Sequence, residues 1–249
     1  MPAPIALVTG ASRGIGAACA TTLADAGWDI AINYARDAAA AQTVATAVRQ
    51  RGRRALVVQA DVADEAAVRA MFDAVDAGLG RLDGLVNNAG IVAMQARLDE
   101  MDVARWRRMW EVNLTGTLLC AQLAVRRMST RHGGSGGVIV NLSSAATKLG
   151  SPAMYVDYAA SKGAIDAFTL GLARELAGES VRVNAVRPGI IDTDIHRDSG
   201  DAERAHKSAE LIPMRRPGRA DEVAAAVAWL MSDASSYVTG TVVDVTGGR

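Results

Sequence analysis

Short runs, apolar almost throughout, alternate with longer helix-forming stretches along the entire chain, and this alternation restricts the fold more than any other feature. Ile5–Val8, Asp29–Tyr34, Ala55–Gln59, a run opening at Leu85-Val86, Val138–Leu142, Val181–Val186 and Val242–Val245 read as strands. They lack the polar/apolar alternation of a half-exposed sheet, so both faces must be covered. Between them lie helical stretches at Gly14–Ala26, Asp37–Gln50, Asp64–Leu79, Asp102–Arg131, Asp157–Ala177 and Ala220–Ser232. Strand–helix alternation gives parallel units with right-handed crossovers. The expected fold class is therefore α/β: a doubly wound parallel sheet of about seven strands with helices on both faces. No linker interrupts the series, so residues 1–249 are expected to form one domain. The segment from Thr193 to Arg219 breaks the rhythm with charges, His196, His206 and two prolines. It lies at the carboxyl end of the sheet, where ligands bind in such folds, and is a candidate lid over about residues 193–213.

Lys plus Arg and Asp plus Glu both number 27, giving zero formal charge. That balance argues against nucleic acid or an anionic membrane as partner and fits a small-molecule substrate. Cys19 and Cys120 lie in apolar helical stretches and read as small buried hydrophobes, as in a reducing compartment. With no signal-like start and no apolar run of about eighteen residues, the expectation is a cytoplasmic protein. The three histidines show no metal-ligand spacing, so no metal is expected.

Thr9-Gly10-Ala11-Ser12-Arg13-Gly14-Ile15-Gly16 joins the first strand to the first helix. The glycines at 10, 14 and 16 do not follow G-x-G-x-x-G, yet the physics is the same. Glycines let the main chain approach a pyrophosphate, and free N–H groups at a helix start attract its charge. The end of the second strand should set the cofactor's ribose preference. An acidic residue there would favour NAD. The chain instead has Tyr34-Ala35-Arg36, with Arg13 in the glycine turn as a second cation. Guanidinium groups suit a 2′-phosphate, so NADP(H) is the expected cofactor and NAD(H) the alternative. Asp37, if directed into the site, would soften or reverse that preference.

Tyr158-Ala159-Ala160-Ser161-Lys162 puts a phenol and an ammonium at i and i+4 on one helix face. A free tyrosine has a pKa of about 10, and a nearby cation favours its phenolate. Such a pair can pass a proton to or from a substrate oxygen. Tyr155 is a decoy, because its i+4 residue is Ala159. Gly133-Gly134-Ser135-Gly136-Gly137 fits G-x-S-x-G literally, but a helix precedes it and a strand follows, the reverse of a nucleophile elbow. Trp106 and Trp110 share a helix face and read as core or subunit contact.

Taken with Ser143-Ser144 at the end of the fifth strand and Asn87-Asn88-Ala89-Gly90 at the end of the fourth, these motifs resemble the short-chain dehydrogenase/reductase family across residues 4–248. The chain is similar to its 3-oxoacyl-(acyl-carrier-protein) reductase-like and glucose 1-dehydrogenase-like members. The resemblance implies a Rossmann fold and hydride transfer between a nicotinamide and a carbonyl/secondary-alcohol pair. It implies Tyr158 as general acid/base, and Lys162 as binder of the nicotinamide ribose that depresses the tyrosine pKa. Ser144 would bond the substrate oxygen, and Asn113 would hold a relay water. Gly10, Ser12, Arg13, Gly14, Ile15 and Gly16 would take the phosphates, and Tyr34, Ala35 and Arg36 the adenosine ribose end. Asp61-Val62 would contact adenine, and Asn88-Ala89-Gly90 would line the central cofactor region. Pro188, Gly189, Ile191 and Thr193 would bracket the nicotinamide amide. Ser144 is preferred over Ser143 because Gly150 then falls at the family's turn, although the Ser144–Tyr158 interval is one residue longer than usual. A homotetramer is implied, with a dimer as the alternative. An NAD-preferring sugar or polyol dehydrogenase and a non-catalytic NADP-binding regulator are the competing readings.

Overall fold

The computed structural model describes residues 2–194, 200 and 203–249. Seven parallel strands form one sheet in the order β3-β2-β1-β4-β5-β6-β7. They are β1 (Ile5–Val8), β2 (Asp29–Tyr34), β3 (Ala55–Gln59), β4 (Gly84–Asn87), β5 (Gly137–Leu142), β6 (Val181–Pro188) and β7 (Val242–Val245). Side chains alternate faces along each strand. Ala6 and Val8 of β1 join one core, and Ile5 and Leu7 the other. Both sets are apolar because both faces are covered, which is why the strands show no polar alternation.

Helices α1 (Gly14–Asp25), α2 (Ala38–Gln50) and α9 (Ala220–Met231) cover the first face, closing over Leu23, Ile30, Ile32, Val48 and Val227. On the second face lie α3 (Glu65–Gly78), α5 (Gly116–Met128) and α7 (Val156–Leu176), around Phe72, Met71, Leu85, Met128 and Ile139. Cys19 and Cys120 sit unpaired in the two cores, and burial pushes both thiols up to about 12.

The predicted helix Asp102–Arg131 is two helices. α4 (Val103–Trp110) runs into a π turn over Glu111–Thr115, and α5 follows. A π turn adds a residue to the helical circuit and re-aims the side chains within it. Here Asn113 lies at its centre, fully buried. A short α6 (Ala146–Leu149) after β5 and an α8 (Arg204–Lys207) after β6 complete the helices used below. β6 extends to Pro188, two residues beyond the sequence reading.

Strand order reverses between β1 and β4, both paired in parallel. A crevice opens outside the carboxyl ends of strands at such a reversal. The glycine turn after β1 and Asn88–Gly90 after β4 stand there together. Among the described residues no helix is long and apolar enough to cross a membrane.

Candidate active site

The glycine turn is clamped by polar side chains placed where strands end. Thr9 Oγ1 accepts the N–H groups of Asn88 and Ala89, each at 3.0 Å. Asn88 Nδ2 donates to the carbonyls of Thr9 at 2.8 Å and Gly10 at 3.0 Å. From the other side Asn33 Oδ1 accepts the Gly10 N–H at 3.1 Å, while its Nδ2 donates to Ala60 O at 3.0 Å. Gly10 is left-handed at φ +62°, and a Cβ there would stand 2.9 Å from Ala89 Cα. Gly16 is tighter: a Cβ would come within 2.4 Å of Asn88 Nδ2. Thr9 and Asn33 were not singled out from the sequence. Their signal was present, since each is a polar residue at the carboxyl end of an apolar strand.

The start of α1 differs from the starts of its neighbours. Asp37, Asp64 and Asp102 cap α2, α3 and α4 by accepting first-turn N–H groups. At α1 the cap position is Arg13, with no side-chain hydrogen bond to the helix and no acidic residue in the first turn. Its N–H groups therefore remain oriented toward an external anion. Gly14, at φ +56°, keeps the main chain bare there, with Thr193 carbons 3.6 Å from where its Cβ would be. This donor set fits a pyrophosphate. Asp37 Oδ1 accepts the Ala40 N–H at 2.8 Å as the cap of α2.

Tyr34, Ala35 and Arg36 stand partly buried to exposed at the end of β2. Asp61 pairs with Arg108 Nη2 at 2.6 Å. Burial pushes its carboxyl up, but the Ala63 N–H, the Arg108 guanidinium and the field of Arg36 outweigh this and hold it below the usual range. Val62 turns its side chain into the core against Gly116.

Around Tyr158 the sequence-predicted residues converge. A cavity of about 440 Å³ is lined by Ile15, Asn88, Gly90, Ser144, Tyr158 and Lys162, with Pro188, Gly189, Ile191 and Thr193 on its wall. The Tyr158 phenol is hydrogen-bonded to the Ser144 side chain. Ser143 points elsewhere, donating to Asp166 Oδ1 at 2.5 Å. Lys162 Nζ donates to Leu142 O at 2.6 Å and lies 5.9 Å from the centre of the Tyr158 ring. A Cβ on Gly90 would stand 3.4 Å from both Lys162 Nζ and Asn113 Oδ1. Asn113 does not line the cavity. Its Oδ1 accepts the Ile91 N–H at 2.8 Å, and its Nδ2 donates to Ile91 O at 3.0 Å and Ser161 Oγ at 3.2 Å. The amide fixes the strand-β4 exit to α7.

The electrostatics differ from the expectation in one respect. Lys162 was expected to depress the Tyr158 pKa. Burial instead raises that pKa, with Ser144 pulling it down and Tyr155 pushing it up. The reason is geometric: the ammonium sits toward the ring and is bonded to Leu142 O. Burial also lowers Lys162 to about 8, against the opposing field of Asp166.

Sequence and structure comparisons identify the family. The family described as enoyl-(acyl carrier protein) reductase matches residues 10–249. An uncharacterized oxidoreductase of Escherichia coli is 51% identical over 98% of this chain and 99% of its own. The chain belongs to the short-chain dehydrogenase/reductase family. Its members carry out nicotinamide-dependent oxidoreduction of CH–OH and C=O groups, and this chain is an oxidoreductase of that type. The cis-4-hydroxycyclohexanecarboxylate dehydrogenase of Sinomonas cyclohexanicum is 43% identical over 98% of this chain and 95% of its own. A short-chain dehydrogenase from Burkholderia cenocepacia, solved in complex with NADP, superposes with a TM-score of 0.91 at 38% identity, covering 99% of this chain and 98% of the other.

The decoys have ordinary partners. Ser135 is exposed and accepts from Arg81 Nη1 at 2.6 Å. Tyr155 packs edge-on against Tyr158, ring centres 6.3 Å apart. Trp106 is partly buried and Trp110 exposed on α4. His206 lies 3.6 Å from Asp192. His196, and residues 195–199, 201 and 202 of the candidate lid, lie outside the described residues. Among the described residues no group of three His, Cys, Asp or Glu side chains is placed to hold a metal.

Proposed function

We propose that the chain is an NADP(H)-dependent carbonyl reductase or secondary-alcohol dehydrogenase in which Tyr158 is the general acid/base. The observation that carries this reading is the Tyr158 phenol bonded to Ser144 beside a buried Lys162, all in one cavity. When bound, the nicotinamide supplies or accepts the hydride. In reduction the Ser144 hydroxyl orients the substrate oxygen. Tyr158, kept protonated by burial, donates its proton to that oxygen as negative charge develops there. Lys162 would hold the ribose hydroxyls when the nicotinamide is bound, and would return a proton to the phenol and regain one from solvent. Its lowered pKa makes that transfer easy near neutrality. Asn113 acts as a positioning residue, because its side chain is committed to Ile91 and Ser161. A relay water would use its main-chain carbonyl, which accepts from Thr117 Oγ1 at 3.0 Å.

The uncapped start of α1, with Gly10, Ser12, Arg13, Gly14, Ile15 and Gly16, would hold the pyrophosphate. Arg13 and Arg36 would meet a 2′-phosphate, and the bond of Asp37 to the first turn of α2 supports that preference. Asp61 would face adenine, and Val62 would contribute through its main chain. The Sinomonas relative is named for a ring bearing a secondary hydroxyl, in keeping with a secondary-alcohol substrate. A homotetramer, with a dimer as alternative, is supported by Leu118 on α5 and Leu170 on α7, both exposed. Sedimentation of the purified chain decides between them.

The test is an initial-rate screen of ketones, aldehydes and sugars with both nicotinamides. The expected result is oxidation of NADPH by a ketone or aldehyde, with kcat/KM for NADPH above that for NADH. Turnover of sugars with NAD alone would instead establish the polyol dehydrogenase reading. Tight NADPH binding without turnover of any carbonyl compound would establish the regulator.

A further inference from the structure

The cavity beside Tyr158 is unbalanced in charge although the chain is neutral. Its described lining contains Lys162, Arg204 and Arg249 and no Asp or Glu side chain. Arg204 is the informative one. It opens α8, is half-buried, and holds its guanidinium 5.0 Å over the Tyr155 ring. Among the described residues its other contact is the Met154 sulfur, 3.9 Å from Nη1. Elsewhere in the molecule half-buried arginines meet oxygen acceptors: Arg105 pairs with Asp157 at 2.7 Å, Arg187 with Asp166 at 2.8 Å and Asp244 at 2.7 Å, and Arg182 donates to the carbonyls of Val238, Leu230 and Ser232. A ring face and a thioether are weak partners for a guanidinium, which is built for two-pronged bonding to an oxyanion. Tyr155 itself touches the edge of Tyr158. The cation is therefore one ring removed from the reacting phenol, and Val92, Leu149 and Met154 supply apolar lining.

We infer that the site selects a carbonyl or alcohol substrate that carries a carboxylate at the far end of an apolar spacer, with Arg204 as the specificity-determining residue and Arg249 as a second cation. The inference rests on the hydride-transfer reading above. The alternative is that Arg204 merely braces Tyr155 through its ring face.

The test uses the full chain with NADPH and a homologous series of aliphatic oxo acids beginning with levulinate, each beside its methyl ester. The ester removes the charge and keeps the carbonyl. At the best spacer length the acid should exceed its ester in kcat/KM by about ten- to a hundredfold, the range of a charge-assisted hydrogen bond. Arg204→Met should bring that ratio to about one, and Arg204→Lys should keep part of it because the charge remains. A ratio unchanged in Arg204→Met, or a wild type that prefers the esters, overturns the inference. Should no carbonyl compound be turned over, the hydride-transfer reading itself has failed. Thermal shift of the NADPH-loaded chain then reads the anion site separately. Stabilisation by levulinate that exceeds its ester's and disappears in Arg204→Met upholds the site, and equal shifts overturn it.

Discussion

The glycine turn after β1 and the wall of the cavity beyond Tyr158 hold their ligand-facing surfaces by opposite means. The turn is fixed by short side chains bonded to main chain: Thr9, Asn33 and Asn88 lock Gly10 and its neighbours in place. Recognition there falls to bare backbone, and the helix start is left uncapped for an anion. The cavity wall is held by charged side chains far apart in sequence. Arg105 of α4 grips Asp157 at the start of α7 and, through Nη1 at 2.6 Å, the carbonyl of Met94. Behind Lys162, Asp166 joins Ser143 and Arg187, and Arg187 joins Asp244, which also meets Lys148. Backbone recognition admits one shape of ligand and tolerates little change. Side-chain scaffolding leaves the far end of the cavity free to vary while Tyr158 and Lys162 stay in register.

Four changes break or sharpen this contrast. Lys162→Met removes the group common to both ends, and should lower kcat by about a hundredfold or more, in the usual range for general acid–base groups. It should also weaken NADPH binding, read by fluorescence titration; a change in kcat alone would confine Lys162 to the proton path. Arg105→Met removes one partner of a buried ion pair, a loss of about 3 kcal/mol. Chemical denaturation should show it, with substrate KM raised and NADPH affinity retained. Loss of cofactor affinity instead would mean that the two ends are not built separately. Arg36→Ala acts at the other end. Preference for NADPH over NADH should fall about tenfold, as for one charge-assisted contact, with KM for the carbonyl substrate unchanged. Asp166→Asn is the mildest. Asp166 raises the Lys162 pKa, which burial has brought down to about 8. Removing its charge lowers that pKa further, so the alkaline fall in kcat should move to lower pH; a profile that stays in place would show that Lys162 does not limit the rate.

Most of the frame was legible in the sequence, and the reasons are local. β1, β2, β3 and β7 begin and end where the sequence reading puts them: β1 and β2 are buried on both faces, and the edge strands β3 and β7 are partly buried. The glycine turn was readable because left-handed backbone and close approach demand glycine. Tyr158 and Lys162 were readable because an i, i+4 pair shares a helix face. What stayed hidden depends on tertiary contact. The π turn at Glu111–Thr115 exists to aim Asn113 at Ile91, and an apolar periodicity does not record one extra residue in a turn. Spacing placed Lys162 near Tyr158 but recorded neither its bond to Leu142 O nor the burial that raises the phenol pKa. Arg204 lies in the irregular segment after β6, and only the fold brings it to Tyr155.

Tyr158→Phe tests proton transfer most directly, because it deletes one oxygen and keeps the ring that packs against Tyr155. With NADPH bound, single-turnover reduction of a carbonyl substrate should fall by about two orders of magnitude or more, while the NADPH dissociation constant stays near the wild-type value. A variant that binds NADPH equally well and keeps most of its single-turnover rate would contradict Tyr158 as the acid.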